Sequence, residues 1–200
     1  MNRREASKLE THKLIISAAK KLFLEKKVEQ CTMRNIAKEA GVSAASIVVH
    51  FENKQALMEI ILGENIERIT NKAIRTLPSE GNLAERLAHV WQTMYAFYDT
   101  NRNLYRTLTQ YTLFEPEDKT PFLTRHTKIL LSFLQDLIDQ EKTNDRVISS
   151  TDVKILAHCL FMIYFNVLIK FYRNPDMPPQ QATDLVFAMT QQTLIGIVMN

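Results

Sequence analysis

Glycine is scarce in this sequence, at 4 of 200 residues, proline is limited to 6 and cysteine to 2. Sandwiches and barrels turn the chain often and use more of the first two, so both architectures are disfavoured. Cys31 and Cys159 have neither CxxC spacing nor a metal-ligand pattern around them, which excludes a disulfide framework and points to a reducing cytoplasm. No HExxH, glycine-rich phosphate loop or GxSxG occurs, and His12, His50, His89, His126 and His158 lack metal-ligand spacing. The chain is therefore not expected to be an enzyme, and no cofactor or metal is expected. Long apolar runs are missing too. The N-terminus is charged (Arg3, Arg4, Glu5, Lys8, Glu10) where a signal peptide would be apolar. The most apolar stretch, Ile155 to Ile169, is interrupted by His158 and Asn166. At about 15 residues it falls short of a membrane span and reads as a buried helix.

What is present is helical periodicity. Leu14, Ile15, Ala18, Ala19, Leu22 and Phe23 recur at helical spacing from Thr11 until Lys26 and Lys27 end the run. Thr32 suits the N-cap of a short second helix with Ile36, Ala37 and Ala40 inward, and Gly41 breaks it. Ser43 can cap a third helix, ending near His50 and Phe51. Asn53 can cap a long fourth one that stops before Pro78. Five more helices are predicted over 80–98, 102–114, 121–141, 152–173 and 179–198. No stretch demands a strand. The expectation is an all-α protein of about nine helices.

Charge is uneven along the chain. Residues 1–56 carry 11 Lys+Arg against 6 Asp+Glu, whereas residues 57–200 carry 14 against 16. Any polyanion binding therefore belongs to the N-terminal quarter. There, Thr32–Phe51 reads as a helix-turn-helix: two short capped helices around a glycine turn, with small residues allowing close approach. Spacing alone leaves a plain helical hairpin equally open.

The run Ile15 to Leu57 resembles the DNA-binding domain of the TetR family of bacterial regulators. The matching residues are Ala18-Ala19, Leu22-Phe23, Thr32, Ile36-Ala37, Ala40-Gly41-Val42-Ser43, His50-Phe51, Asn53-Lys54 and Leu57. Beyond it the chain resembles the family in length and helical character. The resemblance implies a DNA-binding domain at 1–56, and a ligand-binding and dimerisation domain at 57–200. It also implies a homodimer on a palindromic double-stranded operator, with repression released by a small molecule. It places Thr32, Arg34 and Lys54 at backbone phosphates and turns Ser43, Ala44, Ser46 and Val49 towards the groove. His50 is given to a phosphate or base edge. Arg3, Arg4 and Lys8 are read as a flexible arm. Three positions depart from the family: Lys27 and Ala45, where glycine is common, and Val48, where the family carries a phosphate-contacting tyrosine. The last weakens or rearranges the DNA contacts, and it leaves a second reading: a ligand-binding or protein-interaction dimer whose DNA binding has degraded.

The helix predicted over 152–173 is apolar around nearly its whole circumference, which calls for a partner, and the family pairs its last two helices with their twins. The middle helices hold an aromatic surplus. Trp91, Tyr95, Tyr98, Tyr105, Tyr111 and Phe114, with Met162 and Phe165, offer an apolar wall, and His126 and Asn166 are candidate polar anchors. Tyrosine hydroxyls in an apolar wall suit a mainly apolar or aromatic effector. No membrane partner is expected.

Overall fold

The computed structural model describes residues 3–25, 31–144, 147 and 150–197. Among the described residues there are nine α-helices and no strand. They are α1 (Arg3–Glu25), α2 (Met33–Ala40), α3 (Ala44–His50), α4 (Lys54–Arg75), α5 (Leu83–Asp99), α6 (Arg102–Thr112), α7 (Pro121–Thr143), α8 (Val153–Arg173) and α9 (Pro179–Leu194). A 3-10 turn, Glu117–Lys119, precedes α7.

The starts are set by side chains that satisfy the free amides of a first helical turn. Thr32 Oγ1 accepts from Asn35 N–H at 3.1 Å, and Asn53 Oδ1 from Ala56 N–H at 2.8 Å. Asp152 Oδ1 accepts from Ile155 N–H at 3.0 Å. Asn82 and Glu85 form a reciprocal capping box, so α5 begins at Leu83, later than the Glu80 start predicted from the sequence. Two ends also differ from expectation. The chain before Thr11, read as a flexible arm, continues α1 back to Arg3; it holds no glycine or proline and is rich in good helix formers. α9 stops at Leu194, because Gly196 takes a left-handed φ of 79° in the turn that follows. Lys26 and Lys27, expected to end α1, and Val198, expected to end the last helix, lie outside the described residues.

The chain divides into two compact units. The first comprises residues 1–65 and 103–123. α2 packs on α1 and on α3, and Ile15, Ala19, Phe23, Ile36, Ile47 and Leu57 are fully buried. In the same unit Glu59, 1% exposed, accepts the backbone N–H groups of Phe122 (2.7 Å) and Leu123 (2.9 Å). A carboxylate from α4 thus caps the N-terminus of α7, where it also meets the positive end of the helix dipole. One turn further along α4, Gly63 lies so close to Phe122 that a Cβ would stand 2.5 Å from the phenylalanine Cβ. Only glycine permits that approach.

The second unit comprises residues 66–102 and 124–200. Here α9 packs against α5 and α8. Thr183 on α9 donates to Gln92 Oε1 on α5 at 2.6 Å, and Arg86 pairs with the buried Glu141 at 2.8 Å. Arg102 closes the α8–α9 connection. Its guanidinium donates to the carbonyls of Asn174 (2.9 Å), Pro175 (2.9 Å) and Met177 (2.8 Å), pairs with Asp99, and lies 3.7 Å over the Phe171 ring. His126 is 7% exposed, with Nδ1 3.3 Å from Thr70 Oγ1, and burial pulls its pKa down to about 4.

At 21 residues α8 is longer than the apolar run predicted and, by length and composition alone, could cross a membrane. It is nonetheless built into the second unit, where Leu156, Ala157, Leu160, Tyr164, Val167, Leu168 and Phe171 are buried. Ile155, Cys159, Met162 and Asn166 instead lie exposed along a single stripe.

Arg102→Ala removes one planar donor from three carbonyls at once, and is expected to lower unfolding free energy by about 3 kcal/mol in urea denaturation. Arg102→Lys should recover little of that stability, because an ammonium cannot reproduce the fork or its stacking on Phe171. For His126 the sign is set by a folded pKa below the unfolded one. The neutral ring's contribution is complete above pH 6.5 and is lost as pH falls towards 4, since the unfolded chain then binds the proton more readily. The loss between pH 7.5 and pH 5 is expected to be about 2 kcal/mol. His126→Gln should flatten that part of the stability profile, and an unchanged slope in the variant would contradict the assignment.

Candidate nucleic-acid interface

The turn between α2 and α3 is made by Gly41 at φ 68°, ψ 27°, with its N–H and that of Val42 donating back to carbonyls of the last turn of α2. A Cβ at Gly41 would meet no neighbouring atom within 4 Å, so the requirement for glycine is conformational: a side chain there would be strained whatever the space. Ser43 then caps α3, its Oγ accepting from Ser46 N–H at 3.0 Å. Ile36, Ala37 and Ile47 bury the inner faces of the two helices.

The sequence-predicted contact residues lie at the surface of this arrangement. Thr32, Arg34, Ser43, Ala44 and Val49 are exposed, while Ser46, His50 and Lys54 are half-buried. The oxygens of Thr32 and Ser43 are both occupied as caps. His50 sits beside His12, ring centroids 5.9 Å apart, and His12 stacks on Phe51 at 4.7 Å. Burial, followed by the nearby charges of His50 and Lys8, lowers the pKa of His12. The sequence carries no sign of this ring cluster, which joins the middle of α1 to the end of α3. Val48, the departure from the family's aromatic, is 62% exposed; it leaves an aliphatic surface where a phenol would have reached outward.

The predicted effector wall is brought together only in part. Within the second unit Trp91 stacks on Tyr164, centroids 4.4 Å apart and planes 16° from parallel. Tyr95 donates to the Tyr164 carbonyl at 3.0 Å, and the Tyr98 and Tyr164 hydroxyls lie 3.0 Å apart. Burial raises the pKa of both Tyr95 and Tyr164, so both phenols remain protonated. Trp91 is 1% exposed, and its Nε1–H has no hydrogen-bond partner among the described residues. Phe165 is half-buried and stacks on Phe161, which in turn touches Tyr164. Met162 (55% exposed) and Asn166 point out of their own chain. Tyr105, Tyr111 and Phe114 belong to the first unit, where Tyr105 is buried, Tyr111 half-buried and Phe114 89% exposed. A side chain so exposed lines no wall within its own chain. Nothing in the sequence singles out Tyr164, because Trp91, Tyr95 and Tyr98 lie 66–73 residues away from it and its own helix is apolar around nearly its whole circumference.

Residues 15–61 match the family described as bacterial regulatory proteins, tetR family. The HTH-type transcriptional repressor BepR of Brucella suis is 41% identical over 63 residues, which are 32% of this chain and 30% of BepR. The match spans 30–45% of the length of the first three curated relatives. A longer but weaker match, 25% identity over 87% of this chain and 86% of the relative, is to the nucleoid occlusion factor SlmA of Vibrio cholerae. The transcriptional regulator FadR of Bacillus subtilis, solved in complex with stearoyl-CoA, shares the fold with a TM-score of 0.69. Its sequence identity is 19%, with coverage of 92% of this chain and 98% of that one. The capped helix pair lies within the segment that matches the tetR family, and the chain shares its helical fold with FadR.

Proposed function

We propose that the chain is a homodimeric, cytoplasmic, ligand-responsive repressor that binds a palindromic operator through residues 1–56 and senses a small, mainly apolar effector through residues 57–200. The observation that carries the DNA-binding half is α3 itself: a short helix, capped at Ser43, whose outer side chains stand in solvent at the basic end of the chain. Such a helix fits the major groove, and the free amides and dipole at the start of α2 favour a phosphate. In this reading Thr32, Arg34 and Lys54 hold backbone phosphates, Ser43, Ala44, Ser46 and Val49 face the bases, and His50 takes a phosphate or base edge. BepR, a repressor by name, supports the sign of regulation.

The dimer is assigned to α8 and α9. Ile155 (64% exposed), Met162 (55%) and Ile195 (69%) are large apolar side chains left in water by a single chain, and burying them against a twin restores the hydrophobic gain. The effector site is assigned to the wall of Trp91, Tyr95 and Tyr98, with His126 as a polar neighbour. An unpartnered indole N–H inside an apolar wall suits a ligand with one acceptor on an otherwise greasy body. FadR of Bacillus subtilis, which shares the fold, was solved with stearoyl-CoA, a ligand whose acyl chain is apolar. Effector binding favours a dimer geometry in which the two α3 helices no longer match the half-sites, with α4, whose residues both units share, as the lever. The rival reading is a ligand-binding or protein-interaction dimer whose DNA binding has degraded, and Val48 in place of the family's aromatic is what favours it.

Binding to a selected palindromic duplex is expected to weaken steeply as salt rises. Lys54→Ala should reduce affinity and lower the slope of log affinity against log salt by about one for each phosphate no longer neutralised. A folded chain that selects no duplex would favour the rival. Met162→Asp places a charge on the proposed twin interface. Sedimentation is expected to show the wild-type dimer and a monomeric variant, whereas a variant that stays dimeric places the interface elsewhere.

A further inference from the structure

At about 100° per residue, Ala44, Val48, Ala45 and Val49 fall within one arc of about 140° on α3, and Ser46, His50 and Ile47 take the remainder. Burial follows the same division. Ile47 is fully buried, Ser46 and His50 are half-buried, and the four arc residues are exposed, with Val48 at 62% and Val49 at 76%. The outward face of α3 therefore carries methyl groups and no side-chain hydrogen-bonding group. Neither valine contributes to the core, and leaving both in water gains nothing until a partner covers them.

The surroundings identify that partner by charge. Arg34 and Lys38 stand exposed on α2. Glu39 within α2 and Glu52 just beyond α3 are each tied to a lysine, Glu39 to Lys21 at 2.6 Å and Glu52 to Lys119 at 3.0 Å. An apolar arc in a basic, carboxylate-neutralised setting fits a polyanion that also offers an apolar group, and the major groove of duplex DNA is such a surface. On base edges in that groove the apolar group is the C5-methyl of thymine. The arc holds no guanidinium for guanine, no amide for adenine and no carboxylate for cytosine.

We propose that Ala44, Ala45, Val48 and Val49 read thymine C5-methyl groups, so that the positions of thymines in each half-site form the code this helix recognises. The proposal rests on the DNA-binding reading above and names the base feature that reading leaves open. It also assigns Val48 a role: the aliphatic side chain extends the methyl-reading surface by one position.

The test uses the full-length protein and a duplex selected by it from a randomised pool. The same duplex is then synthesised with uracil in place of thymine in the half-sites, which removes only the C5-methyl and keeps base pairing. Affinity is expected to fall about four-fold for each contacted methyl removed, while uracil confined to the spacer between half-sites leaves affinity unchanged. A Val48→Ala/Val49→Ala variant with an unchanged circular dichroism spectrum should lose most of this discrimination. Equal binding of thymine and uracil half-sites by the wild-type protein, or an equal loss from spacer uracil, overturns methyl reading and leaves the DNA-binding reading standing. Failure of the folded protein to select any duplex overturns both.

Discussion

The left-handed turn at Gly41 is the constraint on which the candidate interface depends. Its φ of 68° ends α2, lets two successive amides fold back onto that helix, and delivers Ser43 in position to cap α3. With Ile36 and Ile47 buried on the inner sides, the orientation of α3 has little freedom left, and its remaining arc must face water. An interface built on a rigid helix is more precise than one built on a loop. Here the precision derives from one glycine, one serine and two isoleucines.

The second unit is organised differently, around polar groups that reach across long stretches of chain. Arg102 gathers the carbonyls of the α8–α9 connection, and Tyr164 holds Trp91, Tyr95 and Tyr98 through stacking and hydrogen bonds. Such satisfied networks specify one packing, because each buried polar atom would be costly without its partner. The Trp91 indole N–H, left unpartnered, is the exception within this group, and exceptions of that kind are where a ligand's acceptor gains most.

The helices are legible in the sequence because their ends are written locally. Thr32, Ser43 and Asn53 act as the caps expected of them, and Gly41 ends α2 as expected. The start of α1 is harder to read, since charge clustering before Thr11 resembles a solvated arm although nothing in those residues opposes a helix. Side-chain partnerships are not legible. Glu59 with the α7 amides, Arg102 with the α8–α9 connection and Tyr164 with Trp91 join residues more than sixty positions apart, and no periodicity reports such pairings. The same blindness affects the proposed effector wall. Residue type alone does not separate the buried Trp91 and Tyr95 from the exposed Phe114 and Met162.

The central claim is that a symmetric pair of α3 helices enters successive major grooves of one duplex. Hydroxyl-radical and dimethyl sulfate footprinting of the full-length protein on its selected site tests this most directly. The account predicts two protected patches related by a two-fold axis, with major-groove positions shielded in half-sites separated by about one helical turn or a multiple of it. A single asymmetric patch, or protection confined to the backbone with the major-groove positions open, would contradict it.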